Sequence, residues 1–287
     1  FAATLFGPED LRMVEQPLDP LVSGMVRVRF GAGGICGSDM HYFRHARTGD
    51  FVVTSPLVLG HEIAGEVVEI AGAAPGVKLG DRVAVNPSRW CGHCTPCREG
   101  RLNLCENIFF MGSASKTPHM QGGFASYFDA IPAQCVKIPD HVSYQAAALA
   151  EPLAVCLHAV ARAGDIRGKR AVLFGAGPIG LLTMLAARRA GVADVTVVDI
   201  APAPLAFASR LAGRDRSVRR GVRSVGNGGR ACRRHRYRQA WRRGGADRQS
   251  AGRTDPDAVE CGDGQGDRPA RLVPLQPGVH DGGGTDL

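Results

Sequence analysis

The run from Ala171 to Asp199 leaves this chain few folds to choose from. Ala171–Phe174 is a short apolar stretch, followed by Gly175-Ala176-Gly177-Pro178-Ile179-Gly180, a helical stretch Leu181–Ala190 and a second apolar stretch Val195–Val198. An acid, Asp199, closes the pattern 24 residues after the first glycine. Strand, glycine turn, helix, strand and acid, in that order, open a doubly wound nucleotide-binding domain of the α/β class. Gly175 permits the tight turn, Gly177 lets backbone approach a pyrophosphate, and Gly180 allows close helix–strand packing. The helix start after Gly177, where Pro178 sets the first turn and Ile179 follows, offers unpaired N–H groups from Ile179 onward and a partial positive charge to phosphates. Asp199 can accept hydrogen bonds from both ribose hydroxyls and would repel a 2′-phosphate, which favours NAD over NADP. The competing reading is a structural glycine turn in some other α/β unit.

Upstream the texture differs. Residues 1–140 are punctuated by Gly and Pro, with short β-rich runs at Met25–Phe30, Glu62–Ile70 and Arg82–Val85, which predicts a mostly β domain with long loops. From Ser143, a plausible N-cap, an Ala-rich helical stretch runs over residues 146–163 with Pro152 as a kink or break. The predicted division is a β domain over 1–150 and the first part of a nucleotide-binding domain over 151–213.

Two sets of metal-ligating side chains lie in the first part. Cys91, Cys94, Cys97 and Cys105 form C-x2-C-x2-C-x7-C within a lobe spanning 88–106. Four thiolates so close in sequence suit a closed structural zinc site. An iron–sulfur cluster is the alternative, but the C-x2-C-x2-C-x3-C-P form is missing. The second set is dispersed: Cys36 in a Gly-rich segment, His61 and Glu62 after Gly60, and Glu151 in an otherwise apolar stretch. A thiolate, an imidazole and a carboxylate leave one position open, as a catalytic zinc requires. Taken singly, each has a bland alternative: a small core cysteine, a satisfied buried histidine, a solvated helix glutamate. Nine cysteines without an Arg-led apolar export signal point to thiols and metal ligands rather than disulfides, and to the cytoplasm. No apolar run approaches membrane-spanning length.

Residues 214–287 read differently again. The net charge of +8 belongs to them: residues 1–213 hold 19 Lys+Arg against 18 Asp+Glu, and residues 214–287 hold 16 against 9, all sixteen being Arg. Leu and Val make up 9 of these 74 residues and Ile, Phe and Met are absent, below the roughly 20% that a packed core needs. One reading is a disordered basic tail that binds nucleic acid through its arginines; only Tyr237 and Trp241 interleave with them. The reading that fits better is a GC-rich gene translated out of frame from near residues 210–220. With codons chosen within the degeneracy of Asp263–Gln276, the frame one base later spells MAKEIDLRGSFRF, which has the pattern of an ordinary folded segment.

Together the segments GGICGSDMHYF, VLGHE, the four-cysteine lobe, EPLAVCLHA and VLFGAGPIG resemble the zinc-dependent medium-chain dehydrogenase/reductase family. The likeness covers residues 1–213. NPSRWCGHCTPC, FFMGSA and PHMQGGF make it most similar to the sorbitol dehydrogenase branch and its L-idonate-oxidising members. The shifted-frame string also resembles a later segment of that family. The resemblance implies a GroES-like catalytic domain followed by a Rossmann domain, two zinc ions per chain, and NAD. It implies that Cys36 and His61 ligate the catalytic zinc, and that of Glu62 and Glu151 one ligates the metal while the other ligates it or holds the water on it. It assigns Ser38 to a proton relay, Tyr42 to the substrate pocket, and Gly175, Gly177, Gly180 and Asp199 to the NAD site. The implied reaction oxidises a secondary hydroxyl of a sugar acid or polyol, L-idonate to 5-dehydro-D-gluconate first, with sorbitol or threonine as alternatives. A sugar acid's carboxylate asks for a cationic wall, for which Arg44, His45 and Arg47 are candidates. The family commonly forms homotetramers. Its later Rossmann strands have no counterpart after residue 213, so the expected domain is incomplete and the expected activity of this chain weak or absent.

Overall fold

Val26, Val28, Ile63, Val67, Val83 and Val85 are buried together with Met111, Phe128 and Ala130, and this cluster organises the first of two units, Phe1–Ala154 and Val155–Leu287. The structure is a computed structural model that describes residues 1–213 and, beyond them, the backbone of three strands, Val218–Arg219, Val259–Gly262 and Pro269–Leu275. The remainder of 214–287, for which the sequence predicts a disordered or out-of-frame tail, lies outside the described residues.

The first unit is built on a five-stranded antiparallel sheet in the order Tyr127–Ala130, Val26–Gly34, Glu62–Ile70, Arg82–Val85, Cys135–Lys137. The central strand lacks polar alternation at its start because both of its faces are covered. Ile63 joins the valine cluster, while Ala64 packs with Ala84, Ala147 and Ala148 beneath the short helix Tyr144–Ala148. Small side chains there let helix and sheet approach closely. Ser143 caps that helix, its Oγ accepting the Ala146 N–H at 3.2 Å. The break expected at Pro152 falls earlier, at Leu149, and Ala150–Arg162 forms a second helix. Pro152 therefore sits in the first turn, where its missing N–H costs nothing.

A three-stranded sheet, Asp10–Val14, Ala2–Gly7 and Leu57–Val58, packs on Leu5, Leu57, Leu59, Tyr42 and Ala114. It carries the chain into Leu59-Gly60-His61-Glu62 and so aims the last two residues. Arg27 is buried with its charge matched: its guanidinium donates to Asp129 at 2.8 and 3.1 Å, to Glu69 at 3.0 Å and to the Asp19 carbonyl at 2.7 Å.

A polar clamp at the sheet edge yields a pH prediction. Asp81 accepts Lys137 Nζ at 2.6 Å and the Lys78 N–H at 2.9 Å. The Lys137 ammonium, and then the Lys78 N–H, hold its carboxyl below the ordinary value of 3.8. A depressed carboxyl stabilises the fold fully above its unfolded value, and that contribution disappears as pH falls through the folded one. Asp81→Asn is therefore expected to cost within about 1 kcal/mol at pH 7 and progressively less as pH falls below 3.8, read from urea unfolding at each pH.

In the second unit the strands Arg170–Phe174 and Asp194–Val198 run parallel, with helices Pro178–Arg189 and Pro202–Ala212 following them. Ala171, Leu173, Met184, Ala187, Val195, Val197 and Leu205 form its core. Val218–Arg219 adds a further parallel strand beside Asp194–Val198. On the other side Arg170–Phe174 pairs antiparallel with Pro269–Leu275, which pairs with Val259–Gly262. A doubly wound sheet continues with a parallel strand at that position, so the parallel order breaks where residues beyond 213 take over. Those late strands carry no period-2 signal; backbone pairing does not require one. Among the described residues no helix is long and apolar enough to cross a membrane.

Candidate active site

Cys36 follows directly on the strand Val26–Gly34 and caps the helix Gly37–His45, its N–H donating to Asp39 Oδ2 at 2.9 Å. Register brings the second half of the site alongside, because Gly34 pairs with Glu62 across the antiparallel ladder. The ligand atoms of Cys36, His61 and Glu62 lie within 4.8 Å of one another. His61 and Glu62 are buried and Cys36 is half-buried. Burial pushes both the Cys36 thiol and the Glu62 carboxyl up, opposed at Cys36 by hydrogen bonds from Ser38 and at Glu62 by His61. Glu151 stands outside this trio. Burial raises its carboxyl too, and it feels His61, Glu62 and Asp39 electrostatically.

Asp39 carries no role in the reading of the sequence, yet the structure gives it one. It is almost fully buried, accepts the N–H groups of Cys36 and Gly60, and lies 3.7 Å from His61 Nδ1. His61 Nδ1 is itself buried without a hydrogen-bond partner. Phe110 covers the imidazole, with ring centroids 5.3 Å apart. Ser38 sits beside the metal-ligating set, hydrogen-bonded to Cys36.

Tyr42 packs among Leu5, Leu57 and Leu59, and its hydroxyl accepts the Ala114 N–H at 3.0 Å. One helical turn from Asp39, it faces inward because that face of the helix packs on the small sheet. The Arg47 guanidinium donates to the Gly49 carbonyl at 2.6 and 2.9 Å and lies 3.9 Å from Asp50. Arg44 and His45 are exposed, and His45 stacks against His41 at 6.1 Å.

The sulfurs of Cys91, Cys94, Cys97 and Cys105 also lie within 4.8 Å of one another, and all seven described cysteines are free thiols. Backbone N–H groups of His93 and Cys94 lower the Cys91 thiol to about 6, whereas burial and the neighbouring sulfurs raise Cys97 to about 12. Such a lobe holds one thiolate easily and four only against a cation.

The glycine turn has the conformation its sequence requires. Gly175 has φ +104°, a region that excludes side chains, and a Cβ on Gly180 would overlap the Gly175 carbonyl. Gly177 caps the helix Pro178–Arg189. Asp199 Oδ2 accepts the Ala176 N–H at 2.6 Å and Oδ1 the Ala201 N–H at 2.8 Å. Each oxygen retains a lone pair for a further donor.

A β domain with two cysteine-containing clusters that could hold a metal is followed along the chain by a glycine turn and acid of the dinucleotide-binding type. Residues 22–140 match the alcohol dehydrogenase GroES-like domain, and the proteins this chain is similar to are zinc-dependent medium-chain dehydrogenases/reductases. It is 38% identical over 205 residues to the L-idonate 5-dehydrogenase (NAD(P)(+)) of Escherichia coli K12, covering 71% of this chain and 59% of that one. To the sorbitol dehydrogenase of Bacillus subtilis it is 37% identical over 210 residues, covering 73% and 58%. The crystal structure of the E. coli L-idonate 5-dehydrogenase superposes with a TM-score of 0.71 at 37% identity, covering 79% of this chain and 63% of that one. The chain thus spans under two thirds of the length of these relatives.

Proposed function

We propose that the sequence encodes an NAD-linked zinc dehydrogenase that oxidises a secondary hydroxyl of a sugar acid or polyol, L-idonate first, to the ketone. The observation that carries the reading is the convergence of Cys36, His61 and Glu62. The donor set fits zinc: one thiolate, one imidazole and one carboxylate whose ligand atoms lie within 4.8 Å of one another. Asp39 beside Nδ1 favours the tautomer protonated there, which frees the Nε2 lone pair for a metal. Zinc at this place supplies Lewis acidity that lowers the pKa of a substrate hydroxyl. Ser38 Oγ would accept the substrate's hydroxyl proton while releasing its own proton outward toward solvent, so that the serine stays neutral. Gly175, Gly177, Gly180 and Asp199 would hold NAD, which would supply the acceptor for the carbinol hydride. Glu151 is the second acid of the site, and the four-cysteine lobe holds a structural zinc in a cytoplasmic, thiol-preserving setting.

The substrate reading draws on the identity to the L-idonate enzyme and on the segments of residues 86–124 that carry it. We also infer that residues 214–287 come from a shifted reading frame, which resequencing the gene tests directly. With the frame restored, initial rates on L-idonate, sorbitol and threonine are the deciding comparison. The reading expects L-idonate to have the highest kcat/KM; a preference for sorbitol or threonine reassigns the substrate, and no oxidation by zinc-loaded protein ends the proposal.

Nucleotide choice gives a second prediction. Asp199→Ser is expected to weaken NADH binding roughly 10–100-fold, the worth of a charged hydrogen bond, and to narrow the gap between NADH and NADPH. Fluorescence titration of both nucleotides checks it without turnover. Unchanged NADH affinity would show that Asp199 serves only its two backbone partners.

A further inference from the structure

We propose that Gly34 is a positioning residue of the metal centre: its missing side chain is the space in which the Glu62 carboxylate lies. The proposal rests on the metal-centre reading above. Gly34 and Glu62 face each other across the ladder, in strands so close there that a Cβ on Gly34 would stand 3.2 Å from both Cβ and Cδ of Glu62 and overlap Oε2. Directly opposed residues ordinarily keep their Cβ atoms roughly 4.5–5.5 Å apart.

Backbone conformation does not demand a glycine at residue 34. Its φ lies outside the left-handed region, in contrast to Gly60 at +96°, so the backbone would accept alanine. No atom other than those of Glu62 figures among the nearest neighbours of that Cβ; Gly33 next to it meets the rings of Phe124 and Phe30 instead. The space thus serves one side chain, and that side chain turns back over its cross-strand neighbour to place a carboxylate oxygen beside Cys36 and His61. A methyl at residue 34 leaves the thiolate and imidazole in place and swings the carboxylate away.

The test is a double-mutant comparison on the full chain, reading zinc per chain and zinc affinity by chelator competition, with the four-cysteine lobe as internal reference. Cobalt substitution adds a thiolate charge-transfer band that reports the geometry around Cys36. Gly34→Ala is expected to weaken zinc at the centre roughly 10–100-fold, the usual effect of disturbing a group that orients a ligand, and to shift the cobalt band. In the Glu62→Gly background the same substitution meets no side chain there, because the Glu62 Cβ that would stand 3.2 Å away is gone as well. There it is expected to change neither affinity nor thermal unfolding relative to Glu62→Gly alone, a non-additivity that marks action through Glu62. Should Gly34→Ala fail to fold, recovery of folding in Gly34→Ala/Glu62→Gly carries the same conclusion. Equal losses in both backgrounds, or no loss in the wild-type background, overturn the proposal while leaving the metal centre standing. Wild-type chain that binds zinc at the lobe alone removes the metal centre itself, and the proposal with it.

Discussion

Cys36→Ser is expected to remove one zinc ion per chain and to leave the other in place. The reason is chemical. Cys36 contributes the soft, anionic donor of a set otherwise made of an imidazole and a carboxylate, and zinc prefers thiolate sulfur. A serine hydroxyl at the same place stays protonated near neutral pH and offers the metal a weak neutral oxygen. The hydrogen bonds from Ser38 that stabilise the thiolate lose their purpose at the same time. The lobe of Cys91, Cys94, Cys97 and Cys105 is a separate closed set and keeps its ion. Once the reading frame is restored, alcohol oxidation is expected to fall by roughly 10³-fold, since Lewis acidity contributes several kcal/mol to the transition state. Folding is expected to change little, because Cys36 is only half-buried and its backbone capping bond to Asp39 survives. Metal analysis of the purified variant decides the matter. Zinc content equal to that of the wild type would remove Cys36 from the metal centre.

What could be read from the letters divides along a physical line. The glycine turn was legible because each glycine answers a local demand: a left-handed φ at Gly175, a close approach of backbone at Gly180. The four-cysteine lobe was legible because its members lie within fifteen residues of one another, so that spacing in sequence bounds spacing in space. Cys36 and the His61–Glu62 pair are far apart in sequence, and only the pairing of Gly34 with Glu62 joins them. No composition or period announces a register, and the resemblance to a family did the work there. Asp39 escaped notice for the same reason. Near the start of a helix an acid is ordinary, and what singles it out is a histidine that a strand brings to 3.7 Å from 22 residues further on.

Tyr42 and Arg47 show what the fold adds to the letters. An amphipathic tyrosine on a short helix looks the same in sequence wherever it packs, and the Ala114 N–H seated on its hydroxyl is visible only in the fold. Arg47 looks available in sequence because its nearest acid is three residues away. Its actual partner is a backbone carbonyl two residues away, which side-chain chemistry cannot reveal. In the second unit, the parallel opening of the sheet followed from its own apolar strands. The antiparallel neighbour Pro269–Leu275 did not, because strand pairing is satisfied by backbone alone.

Cys97→Ser is expected to abolish zinc binding at the lobe and to expose residues 88–106 to protease, while the centre at Cys36 keeps its ion. The segment has little else to hold it. Its regular structure is one four-residue helix, Thr95–Arg98, a single turn Leu102–Leu104 and a two-residue ladder between Ser88–Arg89 and Phe109–Phe110. Four sulfurs within 4.8 Å repel one another once ionised. The wide spread between Cys91 and Cys97 comes from the backbone N–H groups that stabilise the first as a thiolate and from the burial, then the neighbouring sulfurs, that disfavour the second. A divalent cation turns the same crowding into the force that closes the loop, as in small zinc domains that unfold without metal. Cys97 is buried, so its replacement removes a ligand and sets a polar hydroxyl in its place, where no apolar cluster stands ready to compensate. Limited proteolysis followed by mass analysis locates the first cut, and chelator treatment of the wild type is expected to reproduce it. Cleavage that begins elsewhere in both cases, with zinc retained in the variant, would show that the lobe holds its shape without the metal.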